Sequence, residues 1–468
     1  MTTVGIVGGG AAGFFAAIEA ARCGAKVTIF ESSAKVSRSV FHSFVFIIFF
    51  SHFIHFQVLQ KVVISGGGRC NVTHDASLEV LLAGYPRGHQ FLRPAFEQFG
   101  AADTRTWFAA RGVKTTVESD GRVFPISDRS QSVAFCLESA AAKEGVVVKR
   151  SSKVGLCFDS GSAVTSRAEV LTLLQVTDVR RGAQNRHFEV TVKESKPGSL
   201  GNAKPATTTD YHLQKIILAC GVSSNSLSWA EKMGHRIIPA VPSLFSFRCT
   251  DARISGLAGV SLNKVTLTLH VGQSIFTETG PIIITHTGLS GPAVLRLSSF
   301  AAREMHAANY KATLLVDWAG RDAVSIRRDI EAIITSSPGK IVSNDAPAYV
   351  PRRLWEALVA SVGCEGLRWA QATEDTISKL VGQVQHSTLQ IDGRSPYVEE
   401  FVTAGGVSMI VVITIILFKF SAAPSLSNDL SISLSFFLVS FFHFWFLLFF
   451  LLVAYLAGAH TPGFAGRH

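Results

Sequence analysis

The hydrophobic pattern at the start of the chain predicts a strand, a helix and a second strand. Apolar residues 4–7 lead into a glycine-rich turn, and a run of small and apolar residues then continues until Gly24. A second apolar stretch, residues 27–30, ends at the acidic Glu31. This order of strand, helix and strand patterns is typical of a βαβ unit with parallel strands.

Strand and helix patterns also recur further along the chain. Apolar runs at 62–64 and 215–218 are each followed by glycine, which indicates buried strands that end in turns. Every second residue is apolar between 265 and 271, as in a half-buried strand. Isoleucines recur at helical spacing in 323–334, and a further helical pattern covers about 352–383. The fold class predicted by these patterns is α/β.

The first turn has the pattern Gly8-x-Gly10-x-x-Gly13. Its glycines allow a tight turn, a close approach of backbone amides to a pyrophosphate, and close packing of helix on strand. The helix N-terminus offers free N–H groups and the positive end of its dipole. Glu31, at the end of the second strand, is placed to accept hydrogen bonds from ribose hydroxyls. An acid at this position favours FAD or NAD over NADP.

Two observations favour FAD over NAD. The sequence holds a single strand-borne turn of this kind, and the strand at 215–218 with Ala219 and Gly221 resembles the segment by which two-domain flavoproteins return to their FAD domain. Three glycines at 66–68 allow the main chain to pass close to a flat ligand. Arg69, which follows them, is a planar donor suited to a pyrophosphate or to negative charge on a reduced flavin.

The segments beyond the first turn resemble the YhiN/BaiN-like flavoproteins and their plant relatives, a family of NAD(P)/FAD-dependent oxidoreductases. The similarity rests on the opening fingerprint together with KVVISGGGRCNVTHD (61–75), ESDGRVFPISDRSQSV (118–133), the segment 216–247, FTETGPIIITHTGLSGPAVLRLS (276–298) and EEFVTAGGVS (399–408). The combination of SGGGRCN, DGRVFP and TGLSGP is far more specific than a glycine fingerprint. The resemblance covers most of residues 1–408.

This resemblance implies a Rossmann-type FAD-binding domain with an inserted β-rich, barrel-like domain. The expected boundaries are 1–239 for the FAD domain, 240–395 for the insertion with a helical subdomain at about 320–385, and 396–408 for the return. The expected cofactor-binding residues are Gly8, Gly10, Ala11, Ala12, Gly13, Glu31, Gly66, Gly67, Gly68, Arg69, Cys70, Asn71, Ala219, Gly221, Gly405 and Gly406. FAD is the expected cofactor, and NAD(P)H is a candidate reductant.

The activity implied is hydride transfer between the flavin and a small carbon substrate, by enone reduction or by oxidation of an amine or ketone. The candidate catalytic residues are Cys70 and His286. Most lone cysteines are buried packing residues, however, and the glycines near His286 are typical of a turn that the histidine merely caps. Asp120 and Arg122 are interpreted as a turn. Two alternatives stay open: a non-catalytic or tail-anchored relative, and an FAD-dependent RNA-modifying enzyme.

Two phenylalanine-rich tracts do not fit this scheme. A membrane crossing at 39–60 would put the two glycine segments on opposite sides of a bilayer, so we interpret 36–60, the anomalous insertion, as translated noncoding sequence. The tail 409–468 replaces the family's closing flavin motif, which puts the retention of FAD in doubt. Its uncharged stretch 431–456 is long enough to span a bilayer. Noncoding sequence and a membrane anchor are both open for this tail.

Charge and cysteine content limit the classes of binding partner and the cellular compartment that we expect for the protein. The net charge is +10, but no run of five or more basic residues occurs, which disfavours a nucleic-acid partner. The 7 cysteines include no C-x-x-C pair, as in a protein with reduced thiols in a cytoplasmic compartment. No metal-ligand cluster stands out, so no metal is expected. The partner predicted is a small-molecule substrate, and membrane attachment through 431–456 is the alternative localisation.

Overall fold

The computed structural model separates the chain into two units. The structure describes residues 1–32, 58–150, 152–153, 171–182, 187–195, 206–221, 223–395, 402–408 and 434–435. The first unit comprises Met1–Pro239 and Gly405–His468, and the second comprises Ala240–Ala404. The second unit thus ends at Ala404, where the sequence had suggested 395. Most of the insertion at 37–60, and the tail apart from 434–435, lie outside the described residues.

The helices are Ala11–Arg22 (α1), Gln60–Ile64 (α2), Leu78–Ala83 (α3), His89–Gln98 (α4), Ala101–Ala109 (α5), Ser130–Lys143 (α6), Ser224–Lys232 (α7), Pro292–Phe300 (α8), Ala302–Ala307 (α9), Ala323–Ser336 (α10), Arg352–Val362 (α11) and Glu374–Gln385 (α12). The strands are Thr3–Val7 (β1), Lys26–Glu31 (β2), Thr73–His74 (β3), Thr115–Val117 (β4), Arg122–Pro125 (β5), Val147–Arg150 (β6), Ser152–Lys153 (β7), Leu171–Arg181 (β8), Phe188–Ser195 (β9), Thr207–Leu213 (β10), Lys215–Leu218 (β11), Ile237–Ser243 (β12), Phe247–Arg248 (β13), Ser261–Val271 (β14), Ser274–Thr285 (β15), Gly288–Ser290 (β16), Ala312–Asp317 (β17), Ser387–Ile391 (β18), Gly393–Arg394 (β19), Val402–Val407 (β20) and Leu434–Ser435 (β21).

A parallel sheet with the order β21-β11-β1-β2-β6 forms the centre of the first unit. Strand β1 is apolar along most of its length because it is buried on both faces, as parallel strands usually are. Helix α1 packs against it through Phe14, Phe15 and Ile18, which are at most 1% exposed. The predicted βαβ unit and the Rossmann-type fold are confirmed.

A second, antiparallel sheet of the first unit has the order β10-β9-β8-β7. Its strands alternate between buried and exposed residues, as a sheet with one solvated face does. The buried face, with Val176, Val190 and Val192, belongs to the same apolar cluster as Val7 and Phe30 of the parallel sheet. This sheet therefore covers part of the Rossmann core with one face and leaves the other to solvent.

The predicted strand at 62–64 is wrong, because these residues form the end of helix α2. A short apolar run suits either a strand or one turn of a helix, and local sequence does not separate them. Burial is one-sided, as in a surface helix: Val62 is 7% exposed and Ile64 is 51% exposed. The hydroxyl of Ser130 on α6 also donates to the carbonyl of Val63, so tertiary contacts determine the outcome.

The second unit contains a seven-stranded antiparallel sheet with the order β18-β17-β14-β15-β16-β13-β19. The alternation predicted for 265–271 is confirmed, since Val265, Leu267 and Leu269 in β14 are fully buried. The helical pattern is confirmed as well, in α10, α11 and α12. Their apolar faces, including Ile326, Leu358 and Leu380, join the sheet in one hydrophobic core.

No helix in the described part of the chain combines the length and the apolar character that crossing a membrane requires. The stretch 431–456, on which the alternative of membrane attachment rests, lies outside the described residues except for 434–435.

Candidate functional site

The glycine turn after β1 is closed by contacts that only glycine permits. A Cβ atom on Gly8 would lie within 3.0 Å of the Ala219 carbonyl, and one on Gly13 would lie within 3.0 Å of the Gly8 carbonyl. The backbone N–H of Ala219 donates to the Val7 carbonyl at 2.7 Å, which fixes the return strand beside this turn. The close helix-to-strand packing proposed for Gly13 is therefore present, and Ala219 forms part of the same turn.

The N-terminus of α1 has no side-chain cap among the described residues. Gly10 is its N-cap, with extended backbone and no side-chain hydrogen bond, and the first turn holds no acidic residue. The N–H groups of Ala11, Ala12 and Gly13 belong to the helix end that intrahelical bonding leaves unsatisfied. With the helix dipole they provide a site suited to a phosphate group.

Glu31 lies across the same turn, at the end of β2. Its Oε2 accepts a hydrogen bond from the Gly9 N–H, and a Cβ atom on Gly9 would stand 3.0 Å from that oxygen. The carboxylate thus lies against the backbone of Gly9, the residue before Gly10 at the start of α1. A pyrophosphate on the helix end and a ribose beside the acid would suit the ADP half of FAD. The residues present therefore fit the adenosine part of a dinucleotide.

The segment after β11 contributes residues on the other side of β1. Gly221 has a φ of +65°, and its Cα region faces Lys61, whose Nζ would lie 3.9 Å from a Cβ placed there. Burial raises the pKa of the Cys220 thiol to about 11. Ser223 and Ser226 form a capping box at the start of α7. The structure thus brings Ala219 to the glycine turn and Gly221 to α2.

A backbone hydrogen bond links the turn to the segment that carries the second glycine cluster. The N–H of Leu59 donates to the Gly9 carbonyl at 2.9 Å, immediately before α2 begins. The side chain of Leu59 is 2% exposed, so the start of α2 is held against the core of the first unit. Helix α2 then runs directly into Ser65 and the glycine run.

The glycine run 66–68 has left-handed backbone throughout. The φ angles of Gly66, Gly67 and Gly68 are +56°, +71° and +87°. A Cβ atom on Gly66 would meet Asn71 N at 2.9 Å, whereas Gly67 and Gly68 face open space. The main chain of these residues is accordingly accessible to a ligand. Asn71 is 6% exposed, and its Oδ1 accepts from the Val123 N–H at 3.2 Å, which ties the end of the loop to β5.

Arg69 makes intramolecular contacts instead of standing free for a ligand. Its guanidinium pairs with Asp128, and its Nη2 lies 2.8 Å from Glu118 Oε1. It also stacks on the Phe124 ring, with Cζ 3.9 Å from the centroid. The hydrogen bonds to Asp128 and Glu118 raise the pKa of Arg69. The described contacts make Arg69 a brace between the glycine run and the β4–β5 hairpin, and its contact with a cofactor stays a prediction.

The Cys70 thiol lies in an environment that disfavours a nucleophile. The residue is 4% exposed, and burial raises its pKa to about 11. Reactive thiols have the opposite property, a pKa lowered by positive charge or a helix N-terminus. Cys70 also adopts a φ of +63°, and its N–H donates to the Ser65 carbonyl at 3.0 Å. These features favour the packing interpretation over a catalytic one.

The remaining candidates lie in turns or in the returning strand. His286 is exposed in the short turn between β15 and β16 of the second unit, where Thr285 Oγ1 donates to the Gly288 carbonyl at 3.2 Å. Asp120 and Arg122 form a hairpin turn, with Arg122 Nε 2.7 Å from Asp120 Oδ2. These placements favour the turn interpretation for all three residues.

Gly405 and Gly406 lie in β20, with φ angles of +133° and +117°. The next residue, Val407, belongs to the apolar cluster that contains Val7 and Leu218. The returning strand therefore packs on the core of the first unit. The closing segment of the flavin site, beyond 408, lies outside the described residues.

Sequence inspection missed the two residues that brace Arg69. Glu118 and Asp128 are distant from it in sequence, so no local spacing points to them; only the ESDGRVFPISD segment gave a signal. Sequence inspection also gave no sign of one cluster of possible ligand groups, and the expectation of no metal stays a prediction. His187, Glu189 and His212 each place a ligand atom within 4.8 Å of the others, because antiparallel pairing joins residues that are far apart in the chain.

Comparisons with known proteins agree with this geometry. The family description "FAD binding domain" matches residues 3–50, "HI0933-like protein Rossmann domain" matches 54–179, and "HI0933-like protein barrel and H2TH domain" matches 241–402. A ribosomal RNA dihydrouridine synthase of Haemophilus influenzae is 26% identical over 410 residues, which cover 87% of this chain and 86% of that protein.

One further curated protein and one solved structure are similar over smaller parts of the chain. A 3-dehydro-bile acid delta(4,6)-reductase of Clostridium scindens is 27% identical over 314 residues, or 65% of this chain and 62% of that protein. Among solved structures, the open conformation of a flavocytochrome c3 fumarate reductase is 13% identical with a TM-score of 0.32, covering 56% of this chain and 47% of that one.

Proposed function

Because the chain belongs to the HI0933-like family of FAD-dependent oxidoreductases, we propose that it reduces a carbon–carbon double bond conjugated to a carbonyl group. The observation that carries the FAD part of the proposal is the turn after β1, where Gly8, Gly13 and Ala219 pack beside an uncapped helix end and Glu31. FAD, when bound, supplies the hydride. The described residues bind and orient it.

The proposed division of labour follows from the geometry of the first unit. The N–H groups at the start of α1 would hold the pyrophosphate, and Glu31 would accept from the ribose in place of, or together with, its bond to the Gly9 N–H. The backbone of Gly67 and Gly68 would donate to the flavin ring. Arg69 would keep that backbone in place through Glu118 and Asp128.

The direction of the reaction is suggested by the relatives. One is named for reduction of a 3-dehydro-bile acid at positions 4 and 6, and another for making dihydrouridine. Dihydrouridine is uridine with two hydrogens added to a ring double bond conjugated to a carbonyl. Both names thus describe the same change: one hydride and one proton join an activated double bond. This supports enone reduction over amine or ketone oxidation, with NAD(P)H proposed as the reductant.

The test is anaerobic mixing of the photoreduced holoprotein with candidate acceptors. We expect a conjugated enone to restore the absorption band of oxidised flavin and to yield the saturated ketone, while a matched saturated ketone restores nothing. NADPH or NADH should reduce the flavin before each cycle. If no enone reoxidises the flavin, and an amine instead bleaches the oxidised protein, the proposed reaction is wrong.

RNA is the second candidate substrate. The relative named for ribosomal RNA covers most of this chain, and the net charge of +10 would suit an anionic partner. The same mixing experiment includes a uridine-rich RNA fragment and free uridine. Flavin reoxidation by the RNA but by neither free uridine nor the enones would favour this candidate. Reoxidation of the flavin by the RNA should then weaken steeply with added salt.

A further inference from the structure

The solvated face of the antiparallel sheet in the first unit brings together two histidines and a glutamate. In the β9–β10 pairing His212 lies directly opposite Glu189, and in the β8–β9 pairing Arg180 lies opposite the same residue. His187, two residues before Glu189, points to the same face because side chains alternate along a strand. The cluster is separate from the glycine turn and unused by the proposed reaction.

The distances in this cluster are those of a metal site. His187 Nε2 lies 3.2 Å from Glu189 Oε1, and His212 Nδ1 lies 3.8 Å from the same oxygen. The three ligand atoms all lie within 4.8 Å of one another, and the two imidazole rings meet edge to face at 5.2 Å. Ligands bound tetrahedrally to zinc at ordinary bond lengths stand about 3.3 Å apart. Small rotamer shifts would therefore suffice to coordinate an ion.

The surroundings orient the three ligands. Arg180 Nε donates to Glu189 Oε2 at 2.8 Å, so the other carboxylate oxygen faces the histidines. Glu189 Oε1 lies 3.2 Å from His187 Nε2 on the side opposite Arg180. Such outer contacts on a ligating carboxylate are usual at metal sites. The charge of Arg180 is shared with Asp178, 3.3 Å away.

A glycine makes room for one of the imidazoles. A Cβ atom on Gly182 would come within 3.0 Å of His187 Nε2, so any other residue there would displace the ring. The backbone N–H of Gly182 also donates to the His187 carbonyl at 2.9 Å. The end of β8 thus holds His187 beside Glu189. The side chain of Glu189 is 18% exposed and that of His212 is 64% exposed, which leaves a solvent path for an ion.

We propose that His187, Glu189 and His212 form a binding site for a divalent transition-metal ion, of which Zn²⁺ is the natural representative. Two imidazoles and a carboxylate are ligands that zinc accepts, and the fourth position is open to water. The bound ion links the start of β9 to the end of β10. Because the other face of these strands packs on the Rossmann core, the role is to fasten this covering sheet, not to take part in flavin chemistry.

The test is a Zn²⁺ titration of the full chain, freed of metal and of any affinity tag, against a chromophoric chelator. We expect one site in the wild type whose affinity falls at least tenfold in His212→Ala and in Glu189→Gln. His89→Ala, which removes a similarly exposed histidine on α4, is the matched control and should bind as the wild type does.

A thermal melt of each variant with and without Zn²⁺ separates binding from folding. Zn²⁺ should raise the Tm of the wild type and of His89→Ala but not that of His212→Ala. Gly182→Ala gives an independent check, because it displaces the His187 ring and should also weaken binding. Equal affinity in the wild type, His212→Ala and Glu189→Gln, or an equal fall in His89→Ala, would overturn the proposal.

Discussion

Two glycine-rich segments of the first unit look alike in sequence but place opposite demands on their glycines. In the turn after β1, Gly13 is required because a side chain would collide with the Gly8 carbonyl. In the run after α2, Gly67 and Gly68 face open space, yet both have left-handed backbone. The first segment depends on close packing and the second on backbone conformation.

This difference suggests different tasks for the two segments. A closely packed turn holds the helix end rigidly, as a phosphate site needs. An open left-handed glycine run exposes several backbone amides with no side chains in the way, so that a flat ring such as a flavin can approach them. The turn should therefore tolerate no added atom, whereas the run should tolerate residues that accept a positive φ. Substitutions that separate these two demands test the comparison directly.

The largest effect is expected from Gly13→Ala. The added methyl group would overlap the Gly8 carbonyl, and overpacking of this kind costs about 3 kcal/mol. The free energy of unfolding, measured with urea, should fall by that amount, and purified protein should lose its FAD. Gly366→Ala is the control, since a Cβ there meets nothing within 4 Å. An unfolding free energy unchanged in Gly13→Ala would show that the turn is not closely packed.

Gly67→Ala should have a smaller effect with a different cause. A left-handed conformation costs a non-glycine residue about 1–2 kcal/mol, and no steric clash adds to it. Gly67→Asn should recover roughly half of this loss, because asparagine visits this conformation more readily. Urea denaturation of both variants measures their free energies of unfolding and shows whether Gly67→Ala loses more than Gly67→Asn. If alanine and asparagine are equally destabilising, the demand at this position is not conformational.

Removing the brace beside the run should cost less again. Arg69→Met deletes the pairs with Glu118 and Asp128 and the stacking on Phe124, while keeping much of the aliphatic volume. Exposed ion pairs of this kind contribute little to stability. We expect a loss of unfolding free energy smaller than that of Gly67→Ala at low salt, and a still smaller one at high salt. Arg129→Met is the control, because it removes an exposed arginine next to Asp128 in the sequence. It should change the unfolding free energy less than Arg69→Met does.

The smallest effect concerns Cys70, which follows the glycine run, and Cys220, which follows β11 next to the turn after β1. Burial raises the pKa of Cys70 and of Cys220 to about 11, so the thiolate fraction at neutral pH is about 100-fold below that of an ordinary thiol. Alkylation of native protein at pH 8 should modify the exposed Cys23 first. Because the raised pKa favours the protonated folded state, this part of the stability is complete below the ordinary thiol pKa of 9.0 and lost as the pH rises through about 11. Rapid labelling of Cys70 would contradict its burial.

Local features of the fold could be predicted from the sequence, and contacts between distant segments could not. The βαβ unit follows from residues adjacent in the chain, and its glycines carry their own steric reasons. The partners of Arg69 are Glu118 and Asp128, which only the folding of the β4–β5 hairpin brings near. The strand predicted at 62–64 was wrong because burial of Val62 and the bond from Ser130 to Val63 determine its conformation.

The same limit applies to the cluster of His187, Glu189 and His212 and to the return strand. His187 and His212 become neighbours of Glu189 through strand register, which no linear spacing reveals. Ala219 was predicted from its resemblance to known flavoproteins, but its contact with Gly8 depends on the parallel pairing of β1 with β11. The glycines proposed to contact the cofactor through backbone atoms were therefore easier to predict than the residues that position them.

The central claim is that the turn after β1 holds the ADP half of FAD. The most direct measurement is an FAD titration, followed by visible absorption, of the full chain, Gly67→Asn and Gly13→Ala, with ADP as competitor. We predict that the wild type and Gly67→Asn bind FAD, that ADP competes with it, and that folded Gly13→Ala binds at least tenfold more weakly. A wild type that stays colourless with excess FAD, or a Gly13→Ala variant that binds FAD equally well, would contradict the account.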